Sequence, residues 1–427
     1  MPTFSLIVAA YNRGPYMEQC LDSLVGQTYK DIEIIVVDDA STDGTLGVIR
    51  SYAHDDERIH VIAKQHNEGA HLARKDGCAA STGDYIIFVD GDDALEITTC
   101  ELMAPYVVSH DVDIVRFGRI VTGLTERDQA FATSLEYMYN RQSDELFDRQ
   151  ISMAMFSDQP QRLTYCVIDS VFKGDVIRNA FDQMPRERLG RLEDAYESFV
   201  IADVAKSLLA LPECRFLHYH FGRGVSGMSQ LTADSFDKDQ KEIYGIVKSV
   251  YQYAQTRSDF IQQRANWFKT DALRIVGNQW EERVAGDEHE SALQCIEDTW
   301  GTVDACSIAL SPLLGRAQEL CRLGLIPKPD DSYYHWRHMV SNVESVRNNE
   351  AVSARFAELE AFDSTIESYR EHMENQRRLA SEAAAEAVER RRLLKTGSAA
   401  KRIVDSILPE SSRLRQAIRG FLTPFRL

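Results

Sequence analysis

Short apolar runs alternate with helix-like segments over the first 95 residues, and this alternation limits the folds that are open to the chain. The runs cover residues 4–10, 32–37, 59–63 and 85–89. Between them, apolar residues recur every three or four positions, which is the spacing of one helix face. Strands that are apolar throughout and alternate with helices form parallel sheets covered on both faces. The sequence therefore predicts an α/β domain built on a Rossmann-like, mostly parallel sheet.

Polar residues follow three of these runs, at the points where the strands are predicted to end. Asn12 follows the first run, Asp38 and Asp39 end the second, and Asp90 and Asp92 follow the fourth. In open parallel sheets, ligands bind beyond the carboxyl ends of the strands. We therefore expect these side chains along one rim of the sheet, although dozens of residues separate them in the sequence.

The segment Asp90-Gly91-Asp92 is the strongest single indication of chemistry. Two carboxylates placed two residues apart at a strand end can share a divalent cation with a bound diphosphate, and Mg²⁺ or Mn²⁺ prefers such oxygen ligands. Gly91 lets the backbone turn sharply between them. The same tripeptide also occurs in ordinary turns, so by itself it does not establish a metal site.

Four stretches in this region together resemble one known family. They read Ser-Leu-Ile-Val-Ala-Ala-Tyr-Asn, Ile-Val-Val-Asp-Asp-Ala-Ser-Thr-Asp-Gly-Thr, Asn-Glu-Gly-Ala-His-Leu-Ala-Arg and Gly-Asp-Tyr-Ile-Ile-Phe-Val-Asp-Gly-Asp-Asp. Individually, the second and third also fit ordinary helix starts, where Ser, Thr and Asp cap open amides. In this order they look like a family-2 glycosyltransferase with the GT-A fold. The match is dense over residues 4–95, weaker to about residue 230, and does not extend to the rest.

The resemblance implies a role for each matching position. Ala10, Tyr11 and Asn12 correspond to the lining of the base and ribose pocket, and Asp39 to the residue that hydrogen-bonds the base, usually uracil. Further along the chain, Arg74 corresponds to a residue facing the nucleotide, Asp90 to the ribose contact and Asp92 to the metal ligand. The family commonly has asparagine after the arginine, whereas this chain has Lys75.

The resemblance also implies a catalytic base about 100 residues beyond the metal motif. Asp194 follows Glu193 at a predicted helix start (residues 192–211), where acidic residues are also favoured by the helix dipole alone. His218 and His220 alternate on a predicted strand (214–221). His220 either completes the shell of the metal, Mn²⁺ or Mg²⁺, or is a half-buried strand histidine.

The implied activity is inverting transfer of a sugar from a nucleotide-diphosphate sugar, with UDP-sugar favoured, to an acceptor hydroxyl. The acceptor class is a glycan or lipid-linked glycan in cell-surface or extracellular polysaccharide synthesis. A phosphatase of the haloacid-dehalogenase type also uses Asp-x-Asp after a strand, but Asp93 stands where threonine is usual. The other alternative is a non-catalytic assembly protein that carries a decayed transferase domain.

Beyond residue 235 the sequence becomes helical, and it contains all four tryptophans. We expect a transferase domain (1–230), a helical region (235–345), a long helix or coiled coil (346–395) and a basic amphipathic tail (396–427). The coiled-coil prediction rests on a heptad-like seam formed by Val352, Leu359, Phe362, Ile366, Tyr369, Met373, Gln376 and Ala380. That seam predicts either a homodimer or packing within the chain.

Charge is distributed unevenly. The net charge of −18 argues against nucleic-acid binding, because the phosphate backbone repels an acidic surface. Residues 390–427 nevertheless carry ten Lys or Arg against two acidic residues. Their apolar neighbours make a stripe that either lies on an anionic membrane surface or packs on the acidic body of the chain.

The eight cysteines are scattered and form no Cys-x-x-Cys pair, which argues against a zinc site and favours a reducing compartment. No signal peptide or membrane-spanning run is apparent. The expected location is cytoplasmic, with the tail as a possible contact to the inner face of the membrane.

Overall fold

The computed structural model describes residues 1–140, 145–158, 163–224, 229–407, 409–411, 413 and 415–416. The chain divides into two compact units, Met1–Ala309 and Leu310–Leu427. The finer division into four parts at residues 230, 345 and 395 stays a prediction. The eight cysteines, all within the described residues, form no disulfide.

In the described residues of the first unit, nine strands form one mixed sheet with the order β3-β2-β1-β4-β8-β6-β9-β5, and β7 pairs with β9. Strands β1 to β4 are mutually parallel where they pair, β8 is antiparallel to both β4 and β6, and β9 is parallel to β6. The strands are β1 (Phe4–Ala10), β2 (Ile32–Asp38), β3 (Ile59–Ala63), β4 (Tyr85–Asp90), β5 (Ala94–Leu95), β6 (Ile114–Gly123), β7 (Leu146–Phe147), β8 (Ser170–Lys173) and β9 (Ser207–Phe221).

Helices connect and cover the strands. Those of the first unit are α1 (Gly14–Val25), α2 (Thr45–Asp55), α3 (Ala70–Ala80), α4 (Thr99–His110), α5 (Glu126–Tyr139), α6 (Arg149–Met155), α7 (Gly174–Asp182), α8 (Glu193–Val204), α9 (Ala233–Ala254), α10 (Asp259–Arg283) and α11 (His289–Trp300). The unit boundary falls within α12 (Thr302–Leu323), which is followed by α13 (Ser332–Asn342) and α14 (Glu350–Ile407). Two short 3₁₀ turns lie at Gly286–Glu288 and Glu344–Val346.

The core of the first unit lies between the parallel strands and their helices. Six of the seven residues of β1 are buried, and the four apolar runs predicted from the sequence are β1, β2, β3 and β4. Helix α3 packs closely on β1, since a Cβ built on Gly77 would come within 2.3 Å of the Ile7 side chain. The predicted α/β fold with a Rossmann-like, mostly parallel core is confirmed.

One element differs from the sequence pattern. The apolar spacing predicts a helix over residues 192–211, but α8 ends at Val204 and β9 begins at Ser207. The Asp113 carboxylate accepts a hydrogen bond from the Lys206 backbone amide at 2.6 Å, and the next residues pair with β6. Tertiary pairing therefore overrides the local helical pattern.

The second unit is helical. Near its start, α14 packs on its own unit: the Tyr333 hydroxyl bonds the Asp363 carboxylate, and Val352, Leu359 and Ile366 are buried. From residue 371 to residue 389 every side chain of α14 is exposed. In the part of the chain that the structure describes, no helix is both long enough and apolar enough to cross a membrane. Most of the predicted tail stripe, including Leu414, Ile418 and Phe421, lies outside the described residues.

Candidate active site

A cavity of about 360 Å³ lies at the carboxyl edge of the parallel strands, where the sequence predicts a ligand rim. It draws side chains from distant parts of the first unit. Its lining is Ala9, Ala10, Tyr11, Arg13, Asp39, Asn67, Gly69, Ala70, Ala73, Arg74, Asp90, Asp92, Asp93, Arg188, Leu189, Gly190, Arg191, Glu193, Tyr219, His220, Gly224 and Glu242.

The end of β1 supplies both lining and support. Ala10 and Tyr11 line the cavity, and Tyr11 is 41% exposed. Asn12 contacts the loop after β2. Its side-chain Oδ1 accepts a hydrogen bond from the Thr42 backbone amide at 2.8 Å, and its backbone amide donates to the Ser41 hydroxyl at 3.0 Å. Asn12 therefore holds the loop after β2 beside the cavity.

The end of β2 is tied to the start of α3 by Asp39. Its buried carboxylate accepts hydrogen bonds from the backbone amides of Glu68, at 2.9 Å, and Gly69, at 2.7 Å. Gly69 has a φ of +90°, which favours glycine at this turn. Asp39 thus fixes the turn that lines one side of the cavity, and Asp39 is itself one of the lining residues.

The end of β4 places three carboxylates at the cavity: Asp90, Asp92 and Asp93. Burial raises the pKa of Asp92 to about 7, the negative charges of Asp93 and Asp90 act in the same direction, and Arg13 opposes them. The Arg13 Nε atom lies 3.2 Å from Asp92 Oδ2. This corner of the cavity therefore holds more negative charge than its neighbours neutralise.

The excess negative charge around Asp92 indicates whether a divalent cation suits this corner of the cavity. Among the described residues, no three His, Cys, Asp or Glu side chains are arranged to hold a metal ion by themselves. Mg²⁺ often binds proteins through one or two carboxylates and completes its shell with substrate phosphates and water. Asp92, buried and short of positive charge, suits that mode of binding.

His220 lies on the same side of the cavity. Its backbone amide donates to Asp93 Oδ1 at 2.8 Å, and its Nδ1 lies 3.5 Å from the same oxygen. His220 thus lines the cavity beside Asp93, and its role as a metal ligand stays a prediction.

Arg74 connects the strand side of the cavity with the helix side. Its Nη2 donates to Asp90 at 3.0 Å, and its Nη1 lies 3.0 Å from Glu197 and 3.4 Å from Glu193. The guanidinium is buried, with 3% of the residue exposed. A single cation therefore links the end of β4 to the first turns of α8.

The start of α8 carries the acidic pair. Glu193 lines the cavity, and Asp194 accepts a hydrogen bond from the Ala195 amide at 2.8 Å. Burial raises the pKa of Glu193 to about 8 and that of Asp194 to about 6, while the positive charge of Arg74 opposes both shifts. At neutral pH, Asp194 is therefore the better proton acceptor of the two, and Glu193 is the one that reaches the cavity.

Several cavity residues lie outside the set predicted from the sequence: Arg13, Asp93, Arg188 and Glu242. Arg13 and Asp93 directly adjoin matched motifs, so their neighbours could have indicated them. Arg188 and Glu242 come from a loop and from α9, and no local pattern marks either residue. Lys75 is directed elsewhere: its amine donates to the backbone carbonyls of Phe181 and Met184, near the end of α7.

A mostly parallel sheet with carboxylates at its carboxyl edge, facing an acidic helix start across one cavity, defines a GT-A glycosyltransferase fold. Residues 5–162 match the profile of glycosyl transferase family 2, and this part of the chain is a family-2 glycosyltransferase domain.

Curated relatives match only part of their length. EpsJ of Bacillus subtilis (strain 168), an uncharacterized glycosyltransferase, is 42% identical over 118 residues, which are 28% of this chain and 34% of EpsJ. TuaG of the same organism, a putative teichuronic acid biosynthesis glycosyltransferase, is 29% identical over 192 residues, 45% of this chain and 66% of TuaG. The chain therefore spans about a third of EpsJ and less than two thirds of TuaG.

Among solved structures, S. aureus TarS 1–349 in complex with UDP-GlcNAc is similar to this chain with a TM-score of 0.52 and 18% identity. The similarity covers 80% of this chain and 91% of the TarS chain. At that level of identity, the likeness establishes the shared fold.

Proposed function

We propose that this chain transfers a sugar from a nucleotide-diphosphate sugar, with UDP-sugar as the favoured donor, to an acceptor hydroxyl with inversion at the anomeric carbon. One observation carries the proposal: a single cavity brings together Asp39, Asp92 and Glu193 from three distant segments. Groups for a nucleotide and a diphosphate thus line one site, and the proposed base, Asp194, directly follows Glu193, which lines it.

The strand side of the cavity suits the donor. Tyr11 offers an exposed aromatic side chain for the base, and Asp39 and Asp90 offer carboxylates for hydrogen bonds to base and ribose. Asp92, with His220 as a second candidate, would hold Mn²⁺ or Mg²⁺, which when bound supplies positive charge to the diphosphate. The shared fold of TarS, solved with UDP-GlcNAc, supports a donor of this chemical class.

The helix side suits the acceptor. The acceptor hydroxyl oxygen attacks the anomeric carbon while the bond from that carbon to the diphosphate oxygen breaks. Asp194 takes the hydroxyl proton, since its pKa of about 6 leaves it largely ionised at neutral pH. A single displacement of this kind inverts the configuration, and no covalent sugar–enzyme intermediate is required.

The biological setting is proposed from the relatives. The name of TuaG refers to teichuronic acid biosynthesis, which supports a glycan or lipid-linked glycan acceptor in cell-surface polysaccharide synthesis. The eight cysteines, which form no disulfide in the described residues, fit the proposed cytoplasmic location. Contact of the basic tail with a membrane surface and a homodimer through α14 remain further parts of this proposal.

A screen of nucleotide-sugars by thermal unfolding with and without Mn²⁺ tests the function. A ligand that binds only the folded chain at 100 times its Kd stabilises it by about 2.7 kcal/mol, which raises the unfolding midpoint. We expect one nucleotide-sugar to raise the midpoint with Mn²⁺ and then to be turned over. A chain that binds no nucleotide-sugar and hydrolyses none would instead be the non-catalytic assembly protein.

A further inference from the structure

Two fully buried residues next to the cavity, His71 and Glu197, have no place in the function proposed above. His71 lies on the first turn of α3 and Glu197 on the second turn of α8. The His71 Nδ1 atom is 2.9 Å from a Glu197 carboxylate oxygen, and the other carboxylate oxygen accepts a hydrogen bond from Arg74 at 3.0 Å. The pair therefore contacts Arg74, the cation described above that joins the two sides of the cavity.

The contacts of the His71 ring fix the number of protons in this pair. Its Nε2 lies 3.1 Å from the Pro185 carbonyl oxygen, which can only accept a hydrogen bond, so Nε2 carries a proton. Its Nδ1 lies 2.9 Å from the Glu197 carboxylate, and a hydrogen bond at that distance requires a proton on either Nδ1 or the carboxylate. One proton must therefore sit between Nδ1 and Glu197, on either partner, and in both cases the pair has a net charge of zero.

The contact with Glu197 restrains Arg74 whichever partner of the pair carries the proton. Glu197 accepts a hydrogen bond from Nη1 at 3.0 Å and so fixes the plane of the guanidinium. In this orientation Nη2 reaches Asp90 at 3.0 Å, and Nη1 stays 3.4 Å from Glu193. The ring of Phe181 stacks on His71 at 5.9 Å between centroids, which further restricts the imidazole.

We propose that His71 and Glu197 are positioning residues for sugar transfer, which hold Arg74 so that it bridges the donor carboxylate Asp90 and the acidic pair of α8. The proposal rests on the transferase function proposed above. Neither residue lines the cavity. They act through Arg74, so their loss should alter both the binding of the donor and the chemical step.

Two substitutions at one position separate this role from simple packing. In Glu197→Gln, the amide oxygen can still accept from Arg74, and the amide nitrogen can donate to His71 Nδ1, which reproduces a protonated glutamate. In Glu197→Met, the size is similar but both hydrogen bonds are lost. Ser198→Ala is the matched control, since Ser198 is buried on the same helix and its hydroxyl has no hydrogen-bond partner among the described residues.

The measurement is kcat and donor KM, with UDP affinity by calorimetry, well below the unfolding midpoint of each variant. We expect Glu197→Gln and Ser198→Ala to match the wild type. We expect Glu197→Met to raise donor KM and to lower kcat at least about tenfold, within the roughly 10²-fold cost of a misplaced group. Mere destabilisation would reduce the amount of active enzyme and leave KM unchanged.

The outcomes are distinguishable. If Glu197→Met lowers kcat alone, or if Glu197→Gln is as impaired as Glu197→Met, the positioning role is wrong while the transferase function stands. If the wild type turns over no nucleotide-sugar, both proposals fall. Should Glu197→Met not fold, His71→Gln tests the same contact, because one amide nitrogen cannot span Glu197 and the Pro185 carbonyl; unchanged KM and kcat there would overturn the role.

Discussion

Arg13 and Asp92 form an ion pair across the first and fourth strand ends, with 3.2 Å between Arg13 Nε and Asp92 Oδ2. The pair partly offsets the burial and the neighbouring carboxylates that raise the pKa of Asp92 to about 7. One guanidinium therefore leaves part of the burial cost of the Asp92 carboxylate uncompensated.

Replacing Asp92 tests that interpretation. Asp92→Ala should abolish sugar transfer and remove the Mn²⁺-dependent part of the stabilisation by UDP, because the carboxylate proposed to hold the metal is gone. The readouts are turnover and the thermal unfolding midpoint with UDP, with and without Mn²⁺. Asp55→Ala, at an exposed carboxylate on α2, is the control and should behave as wild type. Full activity of Asp92→Ala, or of the wild type in EDTA, would exclude a metal role for Asp92.

Substitution by amides of the same size can separate the roles of Glu193 and Asp194, the acidic pair of α8. Asp194→Asn should reduce turnover by about 10²–10⁴-fold, the usual range for loss of a general base, while UDP binding persists. Glu193→Gln should have a smaller effect, because Glu193 is already largely protonated at neutral pH with a pKa of about 8. The reverse order of the two effects would assign the base to Glu193, and equal loss of UDP binding would make Asp194 structural.

Turnover should also depend on pH in a defined direction. The base must be ionised, so kcat/KM should fall as the pH drops through about 6, the raised pKa of Asp194, and not near 4. The same raised pKa means that this carboxyl stabilises the fold below its ordinary pKa and loses that contribution as the pH rises through about 6. Asp194→Asn should remove that part of the pH dependence of unfolding, and a flat rate profile down to pH 4.5 would argue against Asp194 as the base.

Lys75 should affect stability and not donor binding. Lys75→Asn, the residue more usual in the family, is too short to reach the Phe181 and Met184 carbonyls that the amine now bonds. The Phe181 carbonyl still accepts a hydrogen bond from the Met184 amide, so the loss falls on the Met184 carbonyl. Leaving a buried acceptor unsatisfied costs about 1–3 kcal/mol, although burial already lowers the pKa of this amine and so offsets part of the loss. Urea unfolding and UDP calorimetry measure both effects, with the exposed Lys238→Asn as control. A change in UDP affinity without a change in stability would place Lys75 in the donor site.

The heptad prediction can now be confined to one segment of α14. Val352, Leu359 and Ile366 are buried in the single chain, whereas Met373 is 48% exposed. Pairing with a second copy should therefore use residues 371–389, and light scattering should show a dimer that becomes a monomer when the chain ends at Arg370. A monomeric mass for the full chain would exclude the homodimer.

The strand side of the site could be predicted from the sequence because its parts are local. Tyr11, Asp39 and Asp92 each follow a strand that the sequence shows as an apolar run. The carboxyl ends of parallel strands lie at the same edge of the sheet. Proximity across 80 residues then follows from topology, without knowledge of any side-chain contact.

The helix side could not be predicted to the same depth. Arg188 and Glu242 reach the cavity from a loop and from a distant helix, which no periodicity indicates. The buried contact of His71 with Glu197 joins residues 126 positions apart. Asn12 shows a different limit: its contact with base and ribose stays a prediction, and no sequence pattern indicates the hydrogen bond that its side-chain oxygen accepts from the Thr42 amide.

Helix α14 has a mechanical consequence. At 1.5 Å per residue, its stretch from residue 371 to residue 407 is about 55 Å long. A helix of that length works as a stiff spacer, whereas an unstructured linker with the same number of residues would have a variable end-to-end distance. A partner that binds the basic residues near the C-terminal end of α14 would therefore be held at a fixed distance from Arg370. That distance would change by about 1.5 Å for each residue inserted or removed.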